Sequence, residues 1–228
     1  FTLGAPLSFL DHHLRCGNSL IGAMARDVED SLSENGQMSL LTGPFTGLLQ
    51  AAEIMRGVSQ INDITMGEVQ QSYEMFKEFD EAAKPYKKLL DIYIAQFFGV
   101  NRSSEFLSTF NQDRAIDFIT GEIKAPEIYN SVISSTEKLF REKIFFHWDL
   151  EFPEIFIDLN GSNWKEDAGF DAVIGNPPYV RVQLLKYDET DFFKERYISA
   201  YKRIDLSTLF LEQSLKLCKS DGLSGFIL

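Results

Sequence analysis

Apolar residues recur three and four apart through the middle of this chain and bunch into short runs near both ends, a pattern that predicts a helical layer flanked by α/β segments. From about residue 47 to 143 the spacing is helical. Leu48, Ala52, Met55 and Ser59 follow one another at helical steps. Thr65-Met66-Gly67-Glu68 has the form of a capping box, in which a hydroxyl and a carboxylate satisfy the free amides of a helix start. After it Val69, Phe76, Ala83, Leu90 and Phe97 repeat every seven residues, and Tyr73 and Ile94 widen the stripe. Pro85 falls inside that run, removes an amide and predicts a kink or a split; Gly99 predicts the end. Phe106, Leu107, Phe110 and Phe118 mark a further segment. Pro126, a good first-turn residue, opens another that carries Ile128, Val132, Thr136, Leu139 and Phe140. These stripes read as helix-on-helix core, roughly three to five helices in all.

Outside that layer the pattern changes. Leu14 to Leu20 is a brief extended run that breaks at Gly17-Asn18, as a strand does on entering a loop. Residues 26 to 47 are polar and dotted with glycine and read as a mobile connection. Phe170 to Gly175 is a short apolar strand. Asp205 is placed to cap a helix whose inner face carries Leu206, Leu209, Phe210, Gln213 and Leu217. Asp221-Gly222 then turns the chain into a second apolar strand, Leu223 to Leu228. Strand, helix and strand in that order predict a parallel crossover.

Composition narrows the class. With 228 residues, 44% of them hydrophobic, the chain can bury one large core or two small ones, and its 20 phenylalanines make aromatic packing dominant there. The net charge of -12 opposes a broad nucleic-acid-gripping surface, because neutralising phosphate takes Lys and Arg. Such a surface is either local or supplied from outside the chain. Cys16 and Cys218 lack metal-ligand spacing and read as buried thiols in a reducing cytoplasm. No apolar run approaches the ~20 residues of a membrane span, and Phe1 to Leu10 has no cleavage signature. His12, His13 and His147 have no partners at ligand spacing, so no metal is expected. Asp117, Glu122 and Lys124 are spaced too closely for a nuclease cluster and read as solvated surface.

The chemistry sits in Asn176-Pro177-Pro178-Tyr179, which follows directly on the first apolar strand. In open α/β sheets ligands bind at the carboxyl ends of strands. The amine on a nucleobase ring is a poor nucleophile, because its lone pair is delocalised. Two acceptors that take both amine hydrogens draw the nitrogen toward tetrahedral geometry and free that pair. The Asn176 side-chain carbonyl and the Pro177 main-chain carbonyl suit the task, and two prolines stiffen the loop so that both are pre-placed. Tyr179 offers a face for a base to stack on. The plainer alternative is a proline-stiffened turn with a tyrosine packed against it.

Phe170 to Arg181 closely resembles motif IV of the gamma-class amino-methyltransferases that act on adenine in DNA. Leu10 to Gly22 resembles the segment these enzymes place after an earlier sheet strand. Phe146 to Phe156 resembles the approach to motif IV in large fused type IIG restriction–modification enzymes and related phage-defence methylases, and Asp205 to Leu228 resembles the next helix and strand. The resemblance implies an α/β fold, part of a Rossmann-like S-adenosylmethionine methyltransferase sheet with a large helical insertion. On this reading 1–25 and 144–228 belong to the catalytic core and 26–143 is the insertion. It implies S-adenosyl-L-methionine as cofactor, double-stranded DNA as partner, base flipping, no membrane, and a cytoplasmic setting. Asn176, Pro177, Pro178 and Tyr179 would hold the target base. Asn18, with Ser19 beside it, falls where the family places a side chain, often Asp, against the adenine of the cofactor. Arg181 would reach a DNA phosphate or stay in solvent. The family's glycine-rich cofactor motif has no counterpart here, since Gly43 to Gly47 follows no convincing strand. That motif is expected before Phe1 and a target-recognition domain after Leu228, so residues 1–228 alone are expected to bind cofactor weakly or not at all. Two other readings stand beside this one. The first is a protein-glutamine or RNA amino-methyltransferase built on the same tetrapeptide. The second is a non-catalytic, methylase-like module that binds a partner.

Overall fold

The structure, a computed structural model, describes residues 13–26, 28, 46–61, 65–109, 112–160, 163–178, 185–201 and 205–227. The chain divides into two compact units, one of Phe1–Gln96 with Val100–Trp164 and one of Phe97–Gly99 with Lys165–Leu228.

In the first unit the helical spacing becomes α1 (Thr46–Ser59), α2 (Met66–Ala95), α3 (Ser103–Thr109), α4 (Gln112–Thr120) and α5 (Glu127–Lys143). Two one-turn helices, α6 (Trp148–Glu151) and α7 (Pro153–Phe156), lead into a two-residue antiparallel pair, β1 (Ile157–Asp158) and β2 (Asn163–Trp164). α1 buries Leu48, Ala51, Ala52, Met55 and Val58, so its inner face is one residue wider than the spacing predicted and leaves Ser59 out.

The capping box forms as read. The Glu68 amide donates to Thr65 Oγ1 at 3.2 Å, and the Thr65 amide donates to Glu68 Oε2 at 2.8 Å. Pro85 does not split α2, which runs unbroken for 30 residues. One missing amide costs one bond, and burial of Phe79, Ala83, Tyr86, Leu89 and Leu90 around it offsets the loss. The seven-residue stripe holds only in part. Ala83, Leu90 and Ile94 are buried, but Tyr73 is 58% exposed and the face beneath it is Ser72 and Phe79. From Leu89 to Ala95 every residue is buried, so the far end of α2 is core on all sides. In α5, Val132 and Thr136 are buried as predicted, whereas Ile128 and Phe140 face solvent and Tyr129 takes the inner position. Phe110 and most of residues 26–47 lie outside the described residues.

α5 ends at Ile144, whose φ of 52° is left-handed. A β-branched residue pays about 1–2 kcal/mol there, and its surroundings recover the cost. The Ile144 carbonyl accepts the Asn18 amide at 2.7 Å, and a parallel bridge joins Asn18 to Phe145 immediately after. The extended run predicted for Leu14 to Leu20 is therefore a single bridge rather than a strand. It continues as a lattice of backbone and side-chain bonds. The Phe146 amide donates to the Ile21 carbonyl at 2.9 Å, and Asp149 Oδ2 accepts the Ala25 amide at 2.6 Å. His147 Nδ1 accepts the Ala23 amide at 3.1 Å, while its Nε2 meets Asp91 Oδ1 of α2 at 3.0 Å. Gly22 is needed for this fit, because a Cβ there would lie 1.8 Å from the Phe146 carbonyl oxygen. Arg15 closes the lattice. Its guanidinium lies 4.5 Å from the Phe76 ring centre, with Glu151 at 3.2 Å, and Lys87 joins Glu151 to Asp80.

The second unit holds the predicted crossover. β3 (Phe170–Gly175) and β4 (Cys218–Phe226) pair in parallel, and α8 (Tyr187–Arg196) and α9 (Leu206–Leu217) lie between them in sequence. Asp205 caps α9, accepting the Ser207 amide at 2.9 Å. α9 buries Leu206, Leu209, Ser214 and Leu217. The Asp221-Gly222 turn is a bulge inside β4: Phe170 is opposite Cys218, yet Ala172 is already opposite Leu223. Phe192 of α8 stacks on Phe98 at 5.1 Å. The cysteines are not both buried as read, for Cys16 lies exposed in the extended lead-in to Asn18 and Cys218 is half-buried at the start of β4.

The turn between α8 and α9 is fastened by one carboxylate. Glu212 accepts the amides of Ile198 at 3.1 Å and Ser199 at 2.8 Å and pairs with Lys216 at 2.7 Å. Burial pushes the Glu212 carboxyl up, but these hydrogen bonds, led by Lys216, outweigh it and hold it down at about 2. A depressed carboxyl stabilises the fold fully above its unfolded value near 4.5, and that contribution is lost as pH falls toward 2. Glu212→Gln is expected to cost about 2 kcal/mol at neutral pH, after discounting for solvent screening. The gap between variant and parent should close between about pH 4.5 and pH 2, as followed by amide exchange at Ile198 and Ser199. A gap that stays constant over that window would show that Glu212 acts by packing alone.

Candidate functional site

Asn176 emerges where β3 stops. The β3–β4 register runs Val173 to Ser224, Ile174 to Gly225 and Gly175 to Phe226. One more bond follows, from the Ile227 amide to the Gly175 carbonyl at 3.2 Å. The next two residues after Asn176 are prolines and have no amide to extend a ladder, so the chain must leave the sheet here. Asn176 and Pro178 are exposed, and Pro177 is buried. The loop is thus held at its base and by its central ring, with the Asn176 side chain open to solvent. Tyr179 and Arg181 lie outside the described residues.

Asn18 and Ser19 belong to the first unit. Asn18 is half-buried, and its Oδ1 accepts the Leu20 amide at 3.2 Å. That use of the oxygen leaves the amide NH2 as the donor end of the side chain. The Ser19 carbonyl accepts the indole N–H of Trp148 at 3.1 Å, which fixes the backbone beside Asn18. The described part of the first resembling stretch, residues 13–22, meets the second, Phe146 to Phe156, through this lattice. Sequence reasoning missed Asp91 and His147 because their pairing spans 56 residues and carries no local signal. It also missed Phe226, although a glycine directly before Asn176 hinted that something bulky lies against the strand.

Charge is unevenly shared. Residues 1–164 hold thirteen Lys and Arg against twenty-four Asp and Glu, whereas residues 165–228 hold nine against ten. The unit that carries the tetrapeptide is close to neutral. Among the described residues no group of three or more His, Cys, Asp or Glu is placed to hold a metal ion, and no helix is long and apolar enough to cross a membrane.

A parallel strand–helix–strand crossover with a stiff, acceptor-bearing loop at the carboxyl end of its first strand is the ligand-facing arrangement of α/β proteins. Comparison with known proteins narrows the class. Residues 100–228, more than half of the chain, match the profile of the Eco57I restriction-modification methylase family. The chain is 33% identical over 102 residues to the type II restriction enzyme and methyltransferase RM.Eco57I of Escherichia coli, covering 43% of this chain and 9% of that protein. It is 40% identical over 68 residues to the type II methyltransferase M.BstVI of Geobacillus stearothermophilus, covering 28% of this chain and 12% of the relative. A putative type II restriction enzyme and methyltransferase of Methanocaldococcus jannaschii is 25% identical over 238 residues, covering 96% of this chain and 18% of its own length. The chain therefore spans less than a fifth of each of these relatives. No solved structure matches. The chain belongs to the Eco57I restriction-modification methylase family.

Proposed function

We propose that this chain is the catalytic segment of a site-specific DNA adenine methyltransferase of a restriction–modification system, of the fused type IIG kind, which moves a methyl group from S-adenosyl-L-methionine to the exocyclic amine of adenine. One observation carries the reading. Asn176 stands exposed at the carboxyl end of a parallel strand, and the two residues after it are prolines.

Duplex DNA presents its adenine amine inside the base stack, so the target base must be turned out of the helix to reach such a loop. The Asn176 side-chain oxygen and the Pro177 carbonyl would then accept its two hydrogens, and Tyr179 would stack on the ring. Positioning supplies most of the rate, because the sulfonium of the donor is already a strong electrophile. Arg181 would pair with a phosphate beside the extruded base. The near-neutral charge of residues 165–228 suits approach to a polyanion better than the strongly acidic remainder of the chain.

At the cofactor, Asn18 and Ser19 would meet the adenine ring of the donor. The fit is chemical: with Oδ1 committed to Leu20, Asn18 offers N–H groups to a ring nitrogen. The bridge between Asn18 and Phe145 joins the early segment to the one that follows the helices; on the proposed reading 1–25 and 144–228 are parts of one Rossmann-like core, with 26–143 inserted between them.

The test is substrate choice by the full-length protein. Duplex DNA supplied with labelled donor is expected to gain N6-methyladenine at a fixed sequence, while structured RNA and a glutamine-bearing release-factor peptide gain none. Label in the RNA or the peptide, with none in DNA, would overturn the proposal.

A further inference from the structure

The prolines stiffen the loop from Asn176 onward, and the direction in which Asn176 leaves the sheet is set by the residue before it. That residue, Gly175, is glycine, the residue type with the most permissive backbone. Yet Gly175 is not free. Phe226 is its register partner on β4. A Cβ built on Gly175 would lie 2.8 Å from Phe226 Cε1 and 3.3 Å from Cδ1, so the ring occupies the side-chain space of residue 175. The carbonyl of Gly175 is held at the same time by the Ile227 amide at 3.2 Å. These are the last constraints before the loop. Pro177 and Pro178 restrict their own φ but add no ladder bond. An aromatic ring laid over a glycine across paired strands restores the order that the missing side chain would have given.

We propose that Phe226 is a positioning residue for Asn176. Its ring holds the Gly175–Asn176 peptide in the one orientation that aims the side-chain oxygen of Asn176 at the incoming amine. Phe226 does not touch substrate. It acts through the backbone of Gly175, whose missing side chain leaves the space that the ring fills. The inference rests on the adenine-methylation reading of the same loop.

The full-length protein supplies the test, through kcat, KM for duplex DNA, and melting temperature. Phe226→Ala is expected to lower kcat by about 10- to 100-fold, in line with the cost of an ångström-scale misplacement of a reacting group. KM should stay within about threefold, since binding of the rest of the duplex is untouched. Phe226→Tyr keeps the ring and should recover most of the rate. Gly175→Ala pushes its new methyl against the ring and should lower kcat in the same way. Adding Phe226→Leu to Gly175→Ala should recover part of that loss, which a purely structural defect at either site would not do. An active parent whose kcat is unchanged in Phe226→Ala overturns the positioning role and leaves the methylation reading intact. So does a double variant no better than Gly175→Ala. A parent that methylates no DNA overturns the methylation reading itself.

Discussion

Replacing Asn176 with alanine in the full-length protein is expected to lower kcat for DNA methylation by about 10²- to 10³-fold, the range seen when one pre-placed electrostatic partner of a reacting group is removed. The reasoning is local. On the proposed reading the amine hydrogens need two acceptors; the Pro177 carbonyl would supply one, and a methyl group at 176 supplies nothing. KM for duplex should change little, because an exposed side chain that would meet only the extruded base would contribute little to holding the rest of the DNA. Melting temperature should also stay put, since Asn176 is exposed and its removal opens no cavity. Asn176→Gln keeps the amide but moves it outward by one methylene and should recover only a small part of the rate. An alanine variant with activity within threefold of the parent would mean that the amine is activated elsewhere.

The second large effect is on stability. His147→Ala should destabilise the first unit by about 3–5 kcal/mol, the usual cost of stranding a buried charged partner. The imidazole joins two places that nothing local brings together. Its Nδ1 accepts the Ala23 amide at 3.1 Å and its Nε2 donates to Asp91 at 3.0 Å, with His147 only 2% exposed and Asp91 7%. Alanine would leave an amide and a carboxylate buried without these partners. Amide exchange should rise across residues 20–25 and 145–149 first, since those are the segments the ring holds together. Replacing Asp91 with a leucine in the same protein removes the stranded carboxylate and should return part of the loss, a non-additivity that calorimetric melting can read. If the single variant melts within a degree of the parent, the lattice is held by the neighbouring backbone bonds instead.

What the sequence revealed was what its local order controls. Asp205 with the apolar spacing after it, and Thr65 with Glu68, are decided within one helical turn, and both formed as read. The crossover was legible because two apolar runs flank a periodic segment. The place of Asn176 at a strand end was legible because a strand and two prolines frame it. The misreadings came from distant partners. Pro85 predicts a kink or a split from its own chemistry, and the split does not occur, because the flanking rings and leucines pack well enough to carry the helix through. Tyr73 fits a seven-residue count yet faces solvent, because the neighbours of α2 set which side is inner. Cys16 reads as core by residue type, but it sits on the lead-in to Asn18 and stays exposed. Arg15 gave no sign of its contacts, since Glu151 lies 136 residues away, and Phe226 left only the hint of a glycine at its register partner, Gly175, 51 residues earlier.

The bridge from Asn18 to Phe145 also has a consequence for how the molecule is made. The hydrogen bonds of Ala23 and Ala25 reach partners 124 residues further on. During synthesis at about 5–20 residues per second, the early segment therefore waits roughly 6 to 25 s for its mate to be translated. Helices such as α1 and α2 draw on neighbours in sequence and can close meanwhile, whereas contacts across so long a span form late and slowly. For those seconds Leu20, Ile21 and Ala23, all buried in the finished protein, have no cover from the far strand of the bridge. The ribosome-bound intermediate is thus the form of this protein most open to chaperones and proteases.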